Sequence, residues 1–204
     1  MGTKTPIGLT GGIASGKSTV MKMFRDLGAR GISGDAVAAD VLSAGSQALN
    51  ALVREFGSGI LSDDGSLDRR VMLDMLLEKP SRMQRQLDIL APFILPEIDQ
   101  RVSVEMQKSS RSLLIVEAPL LFEYGHPERY APIIVVTVPR DIQVQRLMLR
   151  SGRSRQWAEA VIDLQWPLPQ KEHAADYVIS NAGTVAATQR QVSTVYTRLT
   201  RRTE

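Results

Sequence analysis

The chain contains no cysteine, so disulfides and thiolate metal sites are excluded, and a reducing compartment suits it. Its two histidines, His126 and His173, are far apart and have no metal-ligand spacing. Aromatic residues are 5% of the total, and no basic run carries interleaved aromatics, so nucleic acid is not the expected partner. Arg198, Arg201 and Arg202 read as a solvated helix end. No apolar run approaches the roughly 18 residues of a membrane span. The first residues lack a signal peptide's apolar stretch, and Pro6 stands where a myristoylation motif opened by Met1-Gly2 needs Ser or Thr. The expected setting is cytoplasmic, with no membrane partner.

What remains is 204 residues with 43% hydrophobic and 23% charged content and a net charge of +3. That is enough for one core with a small insertion, and the charge is too mild to select a partner. Pro6–Leu9, Ala29–Ser33, Leu113–Val116, Ile133–Thr137 and Tyr177–Ile179 are short apolar or β-branched runs. Continuous runs of this kind suit strands buried on both faces of a parallel sheet.

Between them lie helical patterns at Lys17–Leu27, Asp35–Leu42, Asp141–Arg150, Gln156–Leu164 and Val185–Leu199, the last with Thr184 as its expected N-cap. The stretch 47–108 is almost wholly helical in pattern. It is read as separate segments, "LDRRVMLDMLL", "RMQRQLDIL" and a face of Ile94, Ile98, Val102 and Met106. Strands alternating with helices predict an α/β fold, a parallel sheet with helices on both faces. The expected organisation is one domain over 1–204, with a helical insertion at about 47–108 and a lid at about 150–165.

Gly11-Gly12-Ile13-Ala14-Ser15-Gly16-Lys17-Ser18 fits the phosphate-binding P-loop and is followed by Thr19. It follows a predicted strand and opens a predicted helix, the context that gives the motif meaning. Glycines let backbone N–H groups converge on phosphate oxygens, and the helix directs its positive end there. Lys17 reaches the β- and γ-phosphates, Ser18 ligates Mg²⁺, and Thr19 adds a phosphate contact. A nucleoside triphosphate, ATP with Mg²⁺, is the expected ligand.

P-loops serve several classes of protein. The Asp-x-x-Gly and Asn-Lys-x-Asp elements of GTPases are missing, and the strand of "LLIVEAPLLFE" ends in Glu117 where a motor ATPase carries Asp. A small kinase needs an acid by the γ-phosphate and an arginine-bearing lid. Asp35, just past the second strand, should lie in the crevice beside the P-loop. There it can accept an acceptor proton or hold Mg²⁺ through water, and Asp is equally a favoured helix N-cap. Arg146 and Arg150 lie on one helix face, with Arg153 and Arg155 beyond Gly152. Arg150, at the loop's edge, is the first candidate for neutralising transferred charge. Glu117 is a candidate Mg²⁺ ligand through water or a sheet-end ion-pair partner. A non-catalytic nucleotide switch would need Lys17 but no base.

Taken in order, "IGLTGGIASGKSTV", "DRRVMLDMLLEKP", "VEAPLLFE", "VQRLMLR" and "ADYVISNAG" make the chain similar to the dephospho-coenzyme A kinases over nearly its whole length. Pro119-Leu120-Leu121-Phe122-Glu123 and Ala175–Gly183 are the specific parts. The resemblance implies a three-layer P-loop kinase that uses ATP to phosphorylate the ribose 3′-hydroxyl of dephospho-coenzyme A. It implies Asp35 as general base, Arg150 as a lid arginine, and Asn181 and Gly183 beside the adenine of ATP. A monomer is expected.

The chain departs from the family pattern at Ser33 (usually Asp), Ala39 (Arg), Ala91 (His), Ser151 (Asp) and Val161 (Arg ahead of Gln165). Two explanations are open. In one, Arg69, Arg153 or Arg155 fills the gaps. In the other, a paralogue acts on a different nucleoside- or sugar-like hydroxyl.

Overall fold

The computed structural model describes residues 5–108, 112–124 and 126–201. Met1, Gly2 and Arg202 of the sequence reading lie outside them. Five strands form one sheet: β1 Ile7–Gly11, β2 Arg30–Ser33, β3 Leu114–Glu117, β4 Ile133–Thr137 and β5 Tyr177–Ser180. Their order is β2-β3-β1-β4-β5, and every pairing is parallel. Nine α-helices are described: α1 Lys17–Asp26, α2 Gly34–Val41, α3 Gln47–Phe56, α4 Arg69–Glu78, α5 Arg82–Lys108, α6 Arg140–Ser151, α7 Arg155–Asp163, α8 Leu168–His173 and α9 Val185–Arg201.

Period-two alternation within the apolar strands creates two cores. Leu114, Val116, Ile133 and Val135 face one side, against Val37 of α2, Leu49 and Leu52 of α3, Met72 and Leu76 of α4, and Ile94 and Ile98 of α5. Leu113, Ile115, Ile134 and Val136 face the other, against Val20 and Phe24 of α1 and Val192, Val195 and Leu199 of α9. This is the three-layer α/β/α architecture. A third apolar cluster joins Val144 and Leu147 of α6 to Ala158, Val161 and Ile162 of α7. Ile13 and Ala14 of the P-loop and Leu73 and Leu77 of α4 pack against it.

Two readings between residues 47 and 108 need correction. The stretch is interrupted by a 3₁₀ turn at Ser58–Ile60 and an antiparallel bridge between Leu61 and Leu67. Beyond it, the two expected helical segments are one helix, α5, which continues through Pro92 and Pro96. Each proline removes a backbone donor. Burial of Leu87, Leu90, Ile94 and Ile98 on one face keeps the helix continuous. The short helix α8 was also unexpected, because Pro167 and Pro169 bracket its start.

The helix starts follow side-chain capping. Ser46 accepts the Leu49 N–H at 3.1 Å, Asp68 accepts those of Arg70 and Val71 at 2.9 and 3.0 Å, and Thr184 accepts that of Ala187 at 3.2 Å. Each satisfies orphan donors of the first turn.

Candidate active site

β1 delivers the P-loop to the carboxyl edge of the sheet, where parallel strands gather their loops. Two of its glycines are dictated by neighbours. A Cβ on Gly16, at φ +91°, would lie 2.1 Å from Asn181 Nδ2, and one on Gly12 would lie 2.3 Å from Gln143 Nε2. Ala14, a non-glycine residue, is held at φ +59°, a conformation costing about 1–2 kcal/mol.

The loop is held by side chains distant in sequence. Gln143 donates to the Ile13 carbonyl at 2.8 Å, while Gln165 accepts the Ile13 N–H at 2.7 Å. Asn181 Nδ2 donates to Ser15 O at 2.9 Å, and Arg146 donates to Ala14 O, Ser15 O and Asn181 O at 3.3, 3.4 and 2.9 Å. Arg146, on the helix leading to the expected lid, is therefore a brace of the loop.

Lys17 Nζ donates to Gly12 O at 3.0 Å and Gly11 O at 3.3 Å. Burial, and then the like charge of Lys171, lower its pKa from 10.5 to about 8, against the opposing pull of Glu117, Asp35 and Glu123. Ser18 Oγ donates to Glu117 Oε1 at 2.9 Å.

Sheet register explains how these groups meet. Glu117 pairs with Leu9 on one side and Ser33 on the other, so β3 ends between the P-loop strand and the residue preceding Gly34 and Asp35. Asp35 occupies the first turn of α2 and lines the same cavity as Lys17, Ser18 and Glu117. The cap of α2 is Ser33, whose oxygen accepts the Ala36 N–H at 3.3 Å. The N-cap reading of Asp35 is thereby corrected, and its carboxylate is spared that task.

The cavity holds about 860 Å³. Ile13, Ala14, Gly16, Thr19, Asn181, Gly183, Arg146 and Arg150 line it with Lys17 and Ser18. The lining also includes the apolar Leu73, Leu76, Met83, Ile94 and Leu121, together with Arg69 and Tyr124. Burial pushes the Tyr124 phenol pKa up, so this hydroxyl stays neutral. The side chains of Arg69 and Arg150 have no hydrogen bond or ion pair with any described residue. Arg153 instead lies over the Trp157 ring at 5.8 Å, and Arg155 pairs with Glu159 and Asp141 at 3.2 and 3.4 Å. Of the three arginines named as substitutes, only Arg69 reaches the cavity.

The departures from the family pattern fall mostly outside it. Ala39 and Ala91 do not line the cavity. Ser33 caps α2, and Ser151 Oγ donates to Leu147 O at 2.7 Å and accepts the Arg153 N–H at 3.2 Å. Val161 does line the cavity, buried among the α6–α7 apolar residues.

Sequence reasoning did not anticipate Gln143 or Lys171. Both are buried polar side chains on short amphipathic helices, next to apolar neighbours at helical spacing: Gln143 beside Val144 and Leu147, Lys171 three residues after Leu168. A polar residue on an apolar face was the available signal.

A parallel α/β sheet with a P-loop, an acid beside the phosphate cradle and arginines across a deep cavity defines a P-loop kinase, a phosphotransferase. A model of the dephospho-CoA kinase family matches residues 5–187, and the chain belongs to that family. It is 38% identical to the dephospho-CoA kinase of Syntrophotalea carbinolica, covering 95% of this chain and 91% of that one. It is 37% identical to the Enterococcus faecalis dephospho-CoA kinase, covering 91% and 92%. Among solved structures, it is similar to the Thermus thermophilus protein TT1252 (TM-score 0.74, 32% identity, 96% and 99% covered). It is also similar to the dephospho-CoA kinase of Campylobacter jejuni (TM-score 0.64, 26% identity, 99% and 100% covered). ATP use follows from the family. Among the described residues, no helix is long and apolar enough to cross a membrane.

Proposed function

We propose that this chain transfers the γ-phosphoryl group of ATP to the ribose 3′-hydroxyl of dephospho-coenzyme A. The observation that carries the reading is the convergence of Lys17, Ser18, Glu117 and Asp35 on one cavity whose lining is otherwise rich in apolar side chains and includes Arg69. Lys17 exchanges its bonds to the Gly11 and Gly12 carbonyls for the β- and γ-phosphates. The backbone from Gly11 to Gly16, with Thr19, cradles the phosphates, and Asn181 and Gly183 border the adenine. Asp35 orients the acceptor hydroxyl and takes its proton. The hydroxyl oxygen then bonds to the γ-phosphorus as the β–γ bridging P–O bond breaks, leaving its electrons on ADP. Arg150 closes over the transferring group, on a lid at 150–165, and Arg69 meets the acceptor's diphosphate.

The donor set fits Mg²⁺. No cluster of three or more metal-binding side chains exists among the described residues. Mg²⁺ in such sites takes one or two protein oxygens and completes its shell with water and phosphate. Ser18, with Glu117 through water, would hold the ion, which when bound neutralises charge between the β- and γ-phosphates. The changed-acceptor explanation weakens because four of the five departures either miss the cavity or serve helix ends.

The test is phosphorylation of dephospho-coenzyme A by the purified protein with Mg-ATP, the product read by mass spectrometry and Lys17→Ala as blank. Product with one added phosphate, absent from the blank, is expected; tight Mg-ATP binding without product would sink the acceptor assignment. Asp35→Asn should lower turnover by about 10²–10⁴-fold, the usual contribution of a positioned base, while ATP affinity stays within a few-fold. An unchanged rate in this variant would remove Asp35 from the base role.

A further inference from the structure

The cavity lining extends well beyond the phosphate site. α5 contributes Met83, Gln86, Ile94, Leu95 and Ile98, a wall of about 22 Å along the helix. The segment after β3 contributes Leu120, Leu121 and Tyr124, and Tyr130 comes just before β4. Gly8 of β1 shows where this part of the lining lies. A Cβ there would stand 2.7 Å from Leu121 Cδ1 and 2.9 Å from Tyr130 Cβ. Gly8 is three residues before Gly11, so these side chains sit about 10 Å back along the strand from the start of the P-loop. Ile94, Ile98, Leu121 and Tyr130 belong to one apolar cluster, and Met83 and Tyr124 pack against it.

None of these residues carries a charge. His126, which also lines the cavity, is exposed and pairs with Glu128 at 3.1 Å. Hydrogen-bonding capacity comes from neutral groups, the Tyr124 hydroxyl and the Gln86 amide, and neither bonds to any described residue. Burial alone pushes the Tyr124 phenol up, so it stays a neutral donor. Its place is firmly set. The Tyr124 N–H donates to Leu120 O at 3.0 Å. The preceding Glu123 is held by Lys171 Nζ at 2.6 Å and by the Trp166 N–H at 2.9 Å. Polar side chains in protein interiors nearly always have partners. A fixed phenol without one, in an apolar wall, suits a ligand that is uncharged, aliphatic and bears its own hydrogen-bonding groups.

We propose that this stretch of the cavity receives the pantetheine arm, the amide-bearing chain that dephospho-coenzyme A carries on its diphosphate, and that Tyr124 recognises it by donating to an amide carbonyl. The diphosphate lies toward Arg69, and the arm runs from there along α5. The proposal rests on the dephospho-coenzyme A reading above, but its first test measures binding alone.

The probes are dephospho-coenzyme A and the β-methyl ester of adenosine 5′-diphosphate. The ester keeps the adenosine and the charge of the diphosphate and lacks the arm. Each is titrated calorimetrically into protein whose P-loop is filled by a non-hydrolysable ATP analogue. Dephospho-coenzyme A should bind about 10- to 100-fold more tightly, the scale of burying a few methylene groups. Y124F should narrow that ratio by about 3- to 10-fold, the net worth of one hydrogen bond. L95W, on the half-buried face of α5 beside Ile98, fills the space with bulk and should narrow it at least as much. Affinity for the ATP analogue reports that each variant is folded. Equal wild-type affinity for the two probes overturns the proposal. So does a Y124F penalty equal for both, which is what the acceptor's adenine would give if it occupied this stretch.

Turnover forms the second arm, because kcat/KM for the two acceptors should follow the same ratios. If no product forms from either acceptor while the affinities behave as stated, the phosphoryl-transfer reading fails and the site for the arm stands. If both acceptors are phosphorylated with equal kcat/KM and Y124F costs both alike, the reverse holds.

Discussion

Lys17 illustrates how a single residue sets function against stability. The cavity removes its ammonium from water and adds the like charge of Lys171, so its pKa falls from 10.5 to about 8. Below pH 8 both folded and unfolded chains carry the proton, and the folded chain bears the full cost of holding it there. Between about 8 and 10.5 the unfolded state binds more protons, so this residue makes stability rise with pH. Lys17→Met should therefore stabilise the nucleotide-free protein at pH 7, by on the order of 1–3 kcal/mol. The advantage should shrink as pH climbs through that window. Urea denaturation at pH 7 and pH 10 measures both, and a variant less stable than wild type at pH 7 would contradict the argument. The same substitution should abolish tight Mg-ATP binding, the familiar opposition between stability and a charged site. Lys17 was legible in the sequence because its partners lie within six residues, at Gly11 and Gly12. Lys171 was not, because Glu123 and Pro119 lie about fifty residues away.

At the level of elements, sequence legibility followed the locality of the forces. The strands announced themselves as unbroken β-branched runs because a parallel sheet buries both faces. α5 did not, since Pro92 and Pro96 are local breakers overruled by tertiary burial of its apolar face. Ser33 looked like a missing acid when compared with the family, yet locally it is a helix cap. Ser33→Asp should keep α2 stable to within about 0.5 kcal/mol, because Asp caps as well as Ser. Ser33→Ala should lose about 1 kcal/mol, and equilibrium unfolding separates the two. The connector between α7 and α8 carries a stronger consequence. Gln165 accepts the Ile13 N–H and thereby orients a P-loop peptide from 152 residues away. Gln165→Leu removes one hydrogen bond from that peptide and should weaken Mg-ATP binding by about 3- to 10-fold, the net worth of such a bond. Titration calorimetry at constant Mg²⁺ tests this, and unchanged affinity would mean that Gln143 alone suffices to fix the peptide.

Across the whole molecule, the nucleotide site sits where three bodies meet. The α6–α7 apolar cluster touches Ile13 and Ala14 of the P-loop on one side and Leu73 and Leu77 of α4 on the other. α4 in turn packs Met72 and Leu76 into the core on which α2, α3 and α5 also rest. A ligand that orders the P-loop therefore restrains both the arginine-bearing helices and the acceptor wall. None of this was visible from local pattern, because Ile13 and Ala14 read simply as spacer residues between P-loop glycines. Binding linkage sets the size of the effect: at a hundred times Kd, Mg-ATP should stabilise the fold by about 2.7 kcal/mol. For a chain of this length that corresponds to a rise in Tm of roughly 5–10 °C. Hydrogen exchange should report where the restraint goes. Amides of α6, α7 and α4 should slow on binding, along with those of the P-loop, while the far end of α9 should be unaffected. Lys17→Met at the same nucleotide concentration should show neither the rise in Tm nor the slowing. Protection confined to the P-loop, with α4 and α7 exchanging as before, would mean that the apolar cluster packs the three bodies together without coupling them.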